Sequence, residues 1–465
     1  MFKQFFLIGW IIWPLALLAQ PEGETLTREI FWEQVRQYHP LARQALLLEE
    51  TARQELRYAR GAFDPQLFAA QEQKTFDGKD YFTHGTAGVK MATLWGPVLK
   101  AQYDWTDGVY LNPELQLPAG GQAVLGVELP LLRGLFFDNY RSGLRQAEAG
   151  IDARAAQARS LRNALFLESN KTYWDWAWAY QARQQTTQAL RYSQERLAGL
   201  REGYRQGDYP AVDTLEAFLQ VQSWQMERQE AEILLNHAVA QLQAFLWNAD
   251  GQAGSWRPDW QPVHPALQPP QLELDSLRAR LERHPALRAY EAKLLQLQIE
   301  RRWKAELLKP ELTVSFNLLG DQFDFTPGAD DGLRALVTDN YKWGVRFSFP
   351  LLLRKERAGL ALADLKISET TWQLNQKRQE LEAKLLGYWQ EYQLRRDQVD
   401  LAGEMVANYQ TLLQVEQTKF QLGESSVFLL NSRQQKLLEA QLKLLKAQAE
   451  LQKAAVSLQW IVGEE

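Results

Sequence analysis

Several short stretches of this chain alternate apolar and polar residues one for one, the two-residue period of a β-strand. Leu99, Ala101, Tyr103 and Trp105 fall on one face, and Lys100, Gln102, Asp104 and Thr106 on the other. Leu125, Val127 and Leu129 oppose Gly126 and Glu128; Leu312, Val314 and Phe316 oppose Thr313, Ser315 and Asn317; Val345, Phe347 and Phe349 oppose Arg346 and Ser348. Elsewhere the period lengthens to that of a helix. The pattern predicts helices over about 26–60, 133–203, 210–247, 272–308, 352–421 and 426–461. Four strands are predicted within 66–129, near 66–74, 85–94, 98–106 and 122–129, and one hairpin within 311–349. Trp95-Gly96-Pro97 and Gly120-Gly121 supply turns between the later strands. The two longest helical patterns, about 70 residues each, would span roughly 105 Å. Each is flanked by helices of about half its length, so two of those end to end would match it.

The order repeats. His39-Pro40-Leu41-Ala42-Arg43 opens a helical stretch ending at Asp64-Pro65-Gln66-Leu67, and His284-Pro285-Ala286-Leu287-Arg288 opens another ending at Lys309-Pro310-Glu311-Leu312. Both intervals share one offset, 284−39 = 310−65 = 245 residues. The chain thus divides into a first structural repeat at 20–248, a Pro-rich linker at 249–271 and a second repeat at 272–465, each built as helix, strands, long helix and helix. In the last helix Leu430, Leu437, Leu444, Leu451 and Leu458 recur every seven residues, and Ala440, Ala447 and Ala454 each follow a Leu by three. This is an a/d seam with small residues that permit close helix approach.

Composition narrows the setting. Among 465 residues, 52 Lys+Arg against 57 Asp+Glu leave a net charge of only −5, and no basic run suggests nucleic acid. Residues 1–19 read as a signal peptide: Lys3 precedes an apolar stretch from Phe5 to Ala19, with Leu17-Leu18-Ala19 before a plausible cut. That stretch is short for a membrane span, and no later segment is a spanning-helix candidate. The absence of cysteine excludes disulfides, thiolate metal sites and a lipidated N-terminal Cys.

Strands with one apolar face, one charged face and aromatics near their ends fit a lipid-facing barrel wall around a wet interior. Lys100, Asp104, Glu128 and Arg346 are the lumen candidates. Four to six strands cannot close a membrane barrel, which needs about eight, and open edges in lipid are prohibitively costly. Several copies must therefore share one barrel. The fold class expected is mainly α with a β-barrel part.

The chain resembles the TolC-like outer membrane efflux protein family. The resemblance rests on the duplicated His-Pro-x-x-Arg to Pro-x-Leu blocks and on the strand endings Leu129-Pro130-Leu131-Leu132-Arg133-Gly134 and Phe349-Pro350-Leu351-Leu352. The helix breaks Tyr204-Arg205-Gln206-Gly207 with Asp213, and Phe420-Gln421-Leu422-Gly423-Glu424-Ser425-Ser426, complete it. It implies a homotrimer in which long antiparallel helices form an α-barrel across the periplasm, while amphipathic hairpins complete a shared barrel in the outer membrane. It implies partners as well: a periplasmic adaptor protein, an inner-membrane transporter and outer-membrane lipid. The breaks would be the periplasmic tips where the duct closes, with Asp213 at the place of an acidic gate residue. Two departures stand out. Six residues after Gly423 stands Leu429 rather than Asp, and Ser425 stands where a gating Arg is found, so closure through Leu429, Leu430 and Asn431 is an expectation for this chain. Standard family barrels also use four strands per protomer; six here would give eighteen in a trimer, with longer extracellular loops around Phe76–Phe82 and Val109–Gly120, and the alternative is that the added hairpin lies outside the barrel.

Enzymatic chemistry finds little support. The five histidines lack metal-ligand spacing, and no nucleophile elbow, phosphate loop or dinucleotide fingerprint occurs. No cofactor is expected. The aromatic run Tyr173, Trp174, Trp176, Trp178 and Tyr180, echoed by Tyr388, Trp389 and Tyr392, reads as packing in the helical wall. The reading is a passive exit duct for substrates delivered by a transporter. The competing one is a periplasmic coiled-coil scaffold or adaptor without a pore.

Overall fold

The computed structural model describes residues 24–265, 272–321 and 340–463. The predicted signal peptide, the end of the Pro-rich linker and the β7–β8 connection lie outside them. The elements, in order, are β1 (Thr25–Leu26), α1 (Arg28–Tyr38), α2 (Pro40–Arg60), β2 (Gln66–Phe76), β3 (Lys79–Ala92), β4 (Val98–Asp107), β5 (Gln122–Pro130), α3 (Asn139–Gln206) and α4 (Ala211–Gln243). Then follow β6 (Gln261–Pro262), α5 (Leu274–Leu281), α6 (Pro285–Glu306), β7 (Glu311–Asp321), β8 (Tyr341–Ser348), α7 (Arg354–Gln421) and α8 (Val427–Ile461). α3 and α7 are 68 residues each. No described helix is long and apolar enough to cross a membrane. The described residues fall into two compact units, one within Met1–His39, Glu168–Pro269 and Tyr392–Ala455, the other within Pro40–Leu167, Pro270–Glu391 and Val456–Glu465.

The second unit holds a six-stranded antiparallel sheet in the order β2-β3-β4-β5-β7-β8. Six strands therefore do belong to one sheet. The expected long loop at Phe76–Phe82 is corrected: β2 and β3 join through Asp77-Gly78 alone, both with positive φ (53° and 70°). That is the left-handed pair a two-residue hairpin needs, and Asp-Gly is its sequence signal. β3 consequently begins at Lys79, not near 85. Where β5 hands over to α3, Arg141 fastens the corner. Its guanidinium donates to Asp138 and to the Leu135 and Gly134 carbonyls, while Asp138 accepts from the Arg141 N–H at 2.8 Å as helix cap. Phe137, fully buried beside it, lies between the Arg145 and Arg302 guanidiniums at 5.4 and 4.9 Å from the ring centre.

Two helices predicted as single are each interrupted before Pro. His39 (ψ 138°) and His284 (ψ 133°) are extended, as a residue before proline prefers, and they separate α1 from α2 and α5 from α6. His284 caps α6 by accepting the Ala286 N–H at its Nδ1, 3.1 Å away. The imidazole is 4 % exposed, and burial, seconded by the Lys377 charge, pushes its pKa down to about 4. An unfolded chain binds that proton near the ordinary 6.5, so stability is full above 6.5 and falls as pH drops through the window to about 4. The protonation penalty is on the order of 3 kcal/mol. His284→Asn keeps a capping acceptor and removes the titration. Its thermal unfolding midpoint should change less between pH 7 and 4.5 than that of the parent protein. Equal acid sensitivity in both would acquit His284.

The first unit is built on aromatics. Tyr173 and Trp176 are fully buried, and Trp174 nearly so. Tyr173 donates to the Leu26 carbonyl at 2.8 Å and accepts from the Val263 N–H at 3.1 Å, tying both ends of the β1–β6 region to α3. Its phenol is pushed up to about 12 by burial. Trp176 meets Trp256 edge-on at 5.3 Å, and Trp256 meets Trp260 at 5.5 Å. The first part of the predicted linker is therefore packed structure. In α8, Leu430, Ala440, Leu451, Ala454 and Leu458 are buried as the seam predicts. Leu438, Leu445 and Ala449 replace Leu437, Leu444 and Ala447 as the buried residues midway.

Candidate functional site

Both helix breaks, in the first unit, end the same way. At the first, Gly207 (φ 85°) donates to the Tyr204 carbonyl at 3.1 Å and Asp208 to the Gly203 carbonyl at 2.9 Å. At the second, Gly423 (φ 78°) donates to Phe420 at 3.1 Å and Glu424 to Lys419 at 2.9 Å. These are paired Schellman caps, and the left-handed residue is glycine because any Cβ there is strained. Pro210 then precedes α4, with Asp213, half-buried, in its first turn. Ser426 caps α8, accepting the Leu429 N–H at its hydroxyl, 3.3 Å away.

Side chains join the two breaks. The Tyr209 and Phe420 rings lie nearly parallel, 6.3 Å apart. Leu197, Leu200, Ala217, Val221 and Val427 form a buried apolar cluster against which they pack. Asn431, 3 % exposed, accepts from the Arg196 guanidinium at 2.8 Å. Burial lowers the Arg196 pKa below its ordinary value. Ser425 donates its hydroxyl to Glu416 at 2.6 Å, and Arg433 stands 3.5 Å from the same carboxylate. The Ser425 bond, then Arg433, hold the Glu416 carboxyl below its ordinary pKa. Tyr204 and Leu429 are instead exposed, and so are Val212, Leu215, Leu422 and Phe428. Within one chain, Leu430 and Asn431 turn inward and Leu429 does not. Tyr209, Arg196, Glu416 and Arg433 escaped sequence reading. Their partners lie on other helices, and no spacing signals such a pair.

In the second unit the strand register sorts the sheet into two faces. Directly paired residues share a face, so one row runs Leu67, Val89, Ala101, Leu125, Leu318 and Tyr341. The next runs Met91, Leu99, Val127, Phe316 and Trp343. Leu67, Val89, Leu99, Leu125, Tyr341, Trp343, Val345 and Phe347 on this face are exposed. All four lumen candidates stand on the other face. Lys100 pairs with Gly126, Asp104 with Thr86, Glu128 with Ser315 and Arg346 with Thr313.

Residues 277–464 match the outer membrane efflux protein family. No curated protein matches the chain. Among solved structures, the CmeC outer membrane channel of Campylobacter jejuni is 13% identical, with 94% of this chain and 85% of that one covered at a TM-score of 0.64. The outer membrane protein VceC of Vibrio cholerae is 14% identical, with 94% and 96% covered at 0.64. The open state of the MtrE outer membrane channel of Neisseria gonorrhoeae is 14% identical, with 94% and 88% covered at 0.62. Such likeness fixes the fold, and the family match over residues 277–464 agrees with it. The resemblance read from the duplicated motifs agrees with both findings: residues 277–464 match the model of that family, and the described chain shares its fold with these outer membrane channels.

Proposed function

We propose that this protein is the outer-membrane exit duct of a tripartite efflux or secretion system. It works as a homotrimer with a periplasmic adaptor and an inner-membrane transporter. The observation that carries this reading is the sheet with one exposed apolar face and one ionisable face. A contiguous apolar face of this size is what lipid covers, and the opposite face suits water. β2 and β8 pair on one side only among the described residues, so each leaves an edge. Edges in lipid must pair, and joining β8 of one copy to β2 of the next satisfies both. Three copies of six strands give eighteen, an even count within the range of bacterial barrels.

The duct supplies no energy; substrate moves down a gradient that the transporter maintains. The helix breaks are the periplasmic tip. Arg196–Asn431, Tyr209–Phe420 and the apolar cluster hold the two repeats together there, while Tyr204, Gly207, Asp213, Gly423, Ser425 and Leu429 line its approach. The adaptor opens the tip by binding its open form more tightly than its closed form. Fractionation of the producing cells tests the whole reading. The protein should sediment with outer membranes and leave detergent as a particle of three chain masses. A soluble periplasmic monomer would sink the duct and favour the coiled-coil scaffold.

A further inference from the structure

One row of the ionisable sheet face runs Gln66, Lys90, Lys100, Gly126, Asn317 and Lys342 from edge to edge. It carries three lysines and no carboxylate. Lys90 and Lys100 stand directly opposite one another across β3 and β4, a like-charge pairing that destabilises a sheet unless solvent or an anion relieves it. None of the three lysines forms an ion pair among the described residues, and Lys100 rests instead above the Phe68 ring, 5.7 Å from its centre. Gly126 leaves a gap in the row, where a Cβ would strike the Asn317 amide oxygen, so an amide and not an acid occupies the space between Lys100 and Lys342. The row toward the free end, with Gln102 and Gly88, carries no charge at all. The row toward the helices carries Glu128 alone.

We propose that this row is a charge filter that makes the duct prefer anionic solutes. This rests on the proposed function, in which the ionisable face lines the pore of a threefold barrel. Three copies then place nine lysines in one belt against three Glu128 carboxylates in the adjacent belt. Neighbouring rows on one face are about 7 Å apart, inside the Debye length of about 8 Å at physiological salt, so the three carboxylates offset part of the lysine belt and the surplus, 9 − 3 = 6 positive charges, remains. A belt of one sign with low-dielectric walls concentrates the opposite ion in the pore. The cargo class it favours is anionic, such as carboxylated or phosphorylated small molecules.

The full-length protein in planar bilayers under a tenfold KCl gradient provides the test. The reversal potential should report chloride over potassium by about threefold or more. The triple variant Lys90→Gln, Lys100→Gln, Lys342→Gln should bring that ratio close to one. Lys342→Gln alone, on the edge strand, should move it partway if the triple variant fails to assemble. Because the chain has no cysteine, Lys100→Cys and Leu99→Cys separate the two layers of the argument. With a water-borne anionic thiosulfonate, Lys100→Cys should react and lose anion preference, and Leu99→Cys should stay silent. Reaction at Leu99→Cys instead would overturn the pore-lining assignment itself. Reaction at Lys100→Cys, with a charge-neutralised variant whose ion preference is unchanged, would leave the duct standing and overturn the filter.

Discussion

Leu125→Arg should abolish assembly in the membrane, while Gln102→Arg, one strand away on the opposite face, should not. Leu125 sits on β5 in the middle of the apolar face, paired with Ala101 and Leu318, and it is 45 % exposed in the single chain. An Arg on the lipid face near the bilayer midplane costs about 2–4 kcal/mol per copy. Repeated in every protomer of a closed barrel, that is a large share of the 5–15 kcal/mol that typically separates folded from unfolded domains. Gln102 shares its face with the lysine row, so under the proposed function a charge there meets water. Urea titration of the reconstituted protein, with heat-resistant trimer on a gel as the readout, distinguishes the two variants. If Leu125→Arg assembles as well as Gln102→Arg, the apolar face does not meet lipid.

Arg196→Ala should open the tip. The Arg196–Asn431 bond is a charged donor to a buried amide, 2.8 Å long, and it joins the long helix of the first repeat to the last helix of the second. Bonds to charged groups contribute roughly 1.5–3 kcal/mol, and losing this one also strands the buried Asn431. If the bond exists only in the closed tip, about 2 kcal/mol corresponds to a roughly thirtyfold rise in the open-to-closed ratio. Single-channel recording should show that rise as leak in the absence of any adaptor. Arg196→Lys should recover part of the closure. Asp213→Ala serves as the contrast: at the entrance to α4 it should change block by divalent cations more than resting leak. Unchanged leak in Arg196→Ala would mean that Arg196 braces the helices without holding the tip shut.

The strands and their faces were legible because lipid or core on one side and water on the other impose a two-residue period that nothing else produces. Lys100, Asp104, Glu128 and Arg346 could be placed on one face before any register was known. The glycine breaks were legible for a comparable reason: a left-handed residue at a helix end selects glycine, and Gly207 and Gly423 both occupy that position. The hairpin at Asp77-Gly78 was missed although its signal was present, since Lys79 to Phe82 do not alternate cleanly. The His-Pro blocks were legible as helix starts, although the helical pattern at 26–60 and 272–308 runs across them and hides the break. What stayed hidden were contacts between distant helices. Nothing local in Arg196 announces Asn431, 235 residues later, and nothing in Tyr209 announces Phe420. The row of lysines was hidden too, because three residues from β3, β4 and β8 fall into one row only once six strands are in register.

The two repeats differ in length by a telling amount. From the His-Pro block to the left-handed glycine is 207−39 = 168 residues in the first and 423−284 = 139 in the second, a difference of 29. The span from the start of β3 to the end of β4, Lys79 to Asp107, is also 29 residues. Excising it would leave β2 still antiparallel to β5 and every helix untouched. Under the proposed function, strands can thus be gained or lost as whole hairpins while both helix breaks stay as they are, so the width of the barrel and the closure of the tip are free to vary separately.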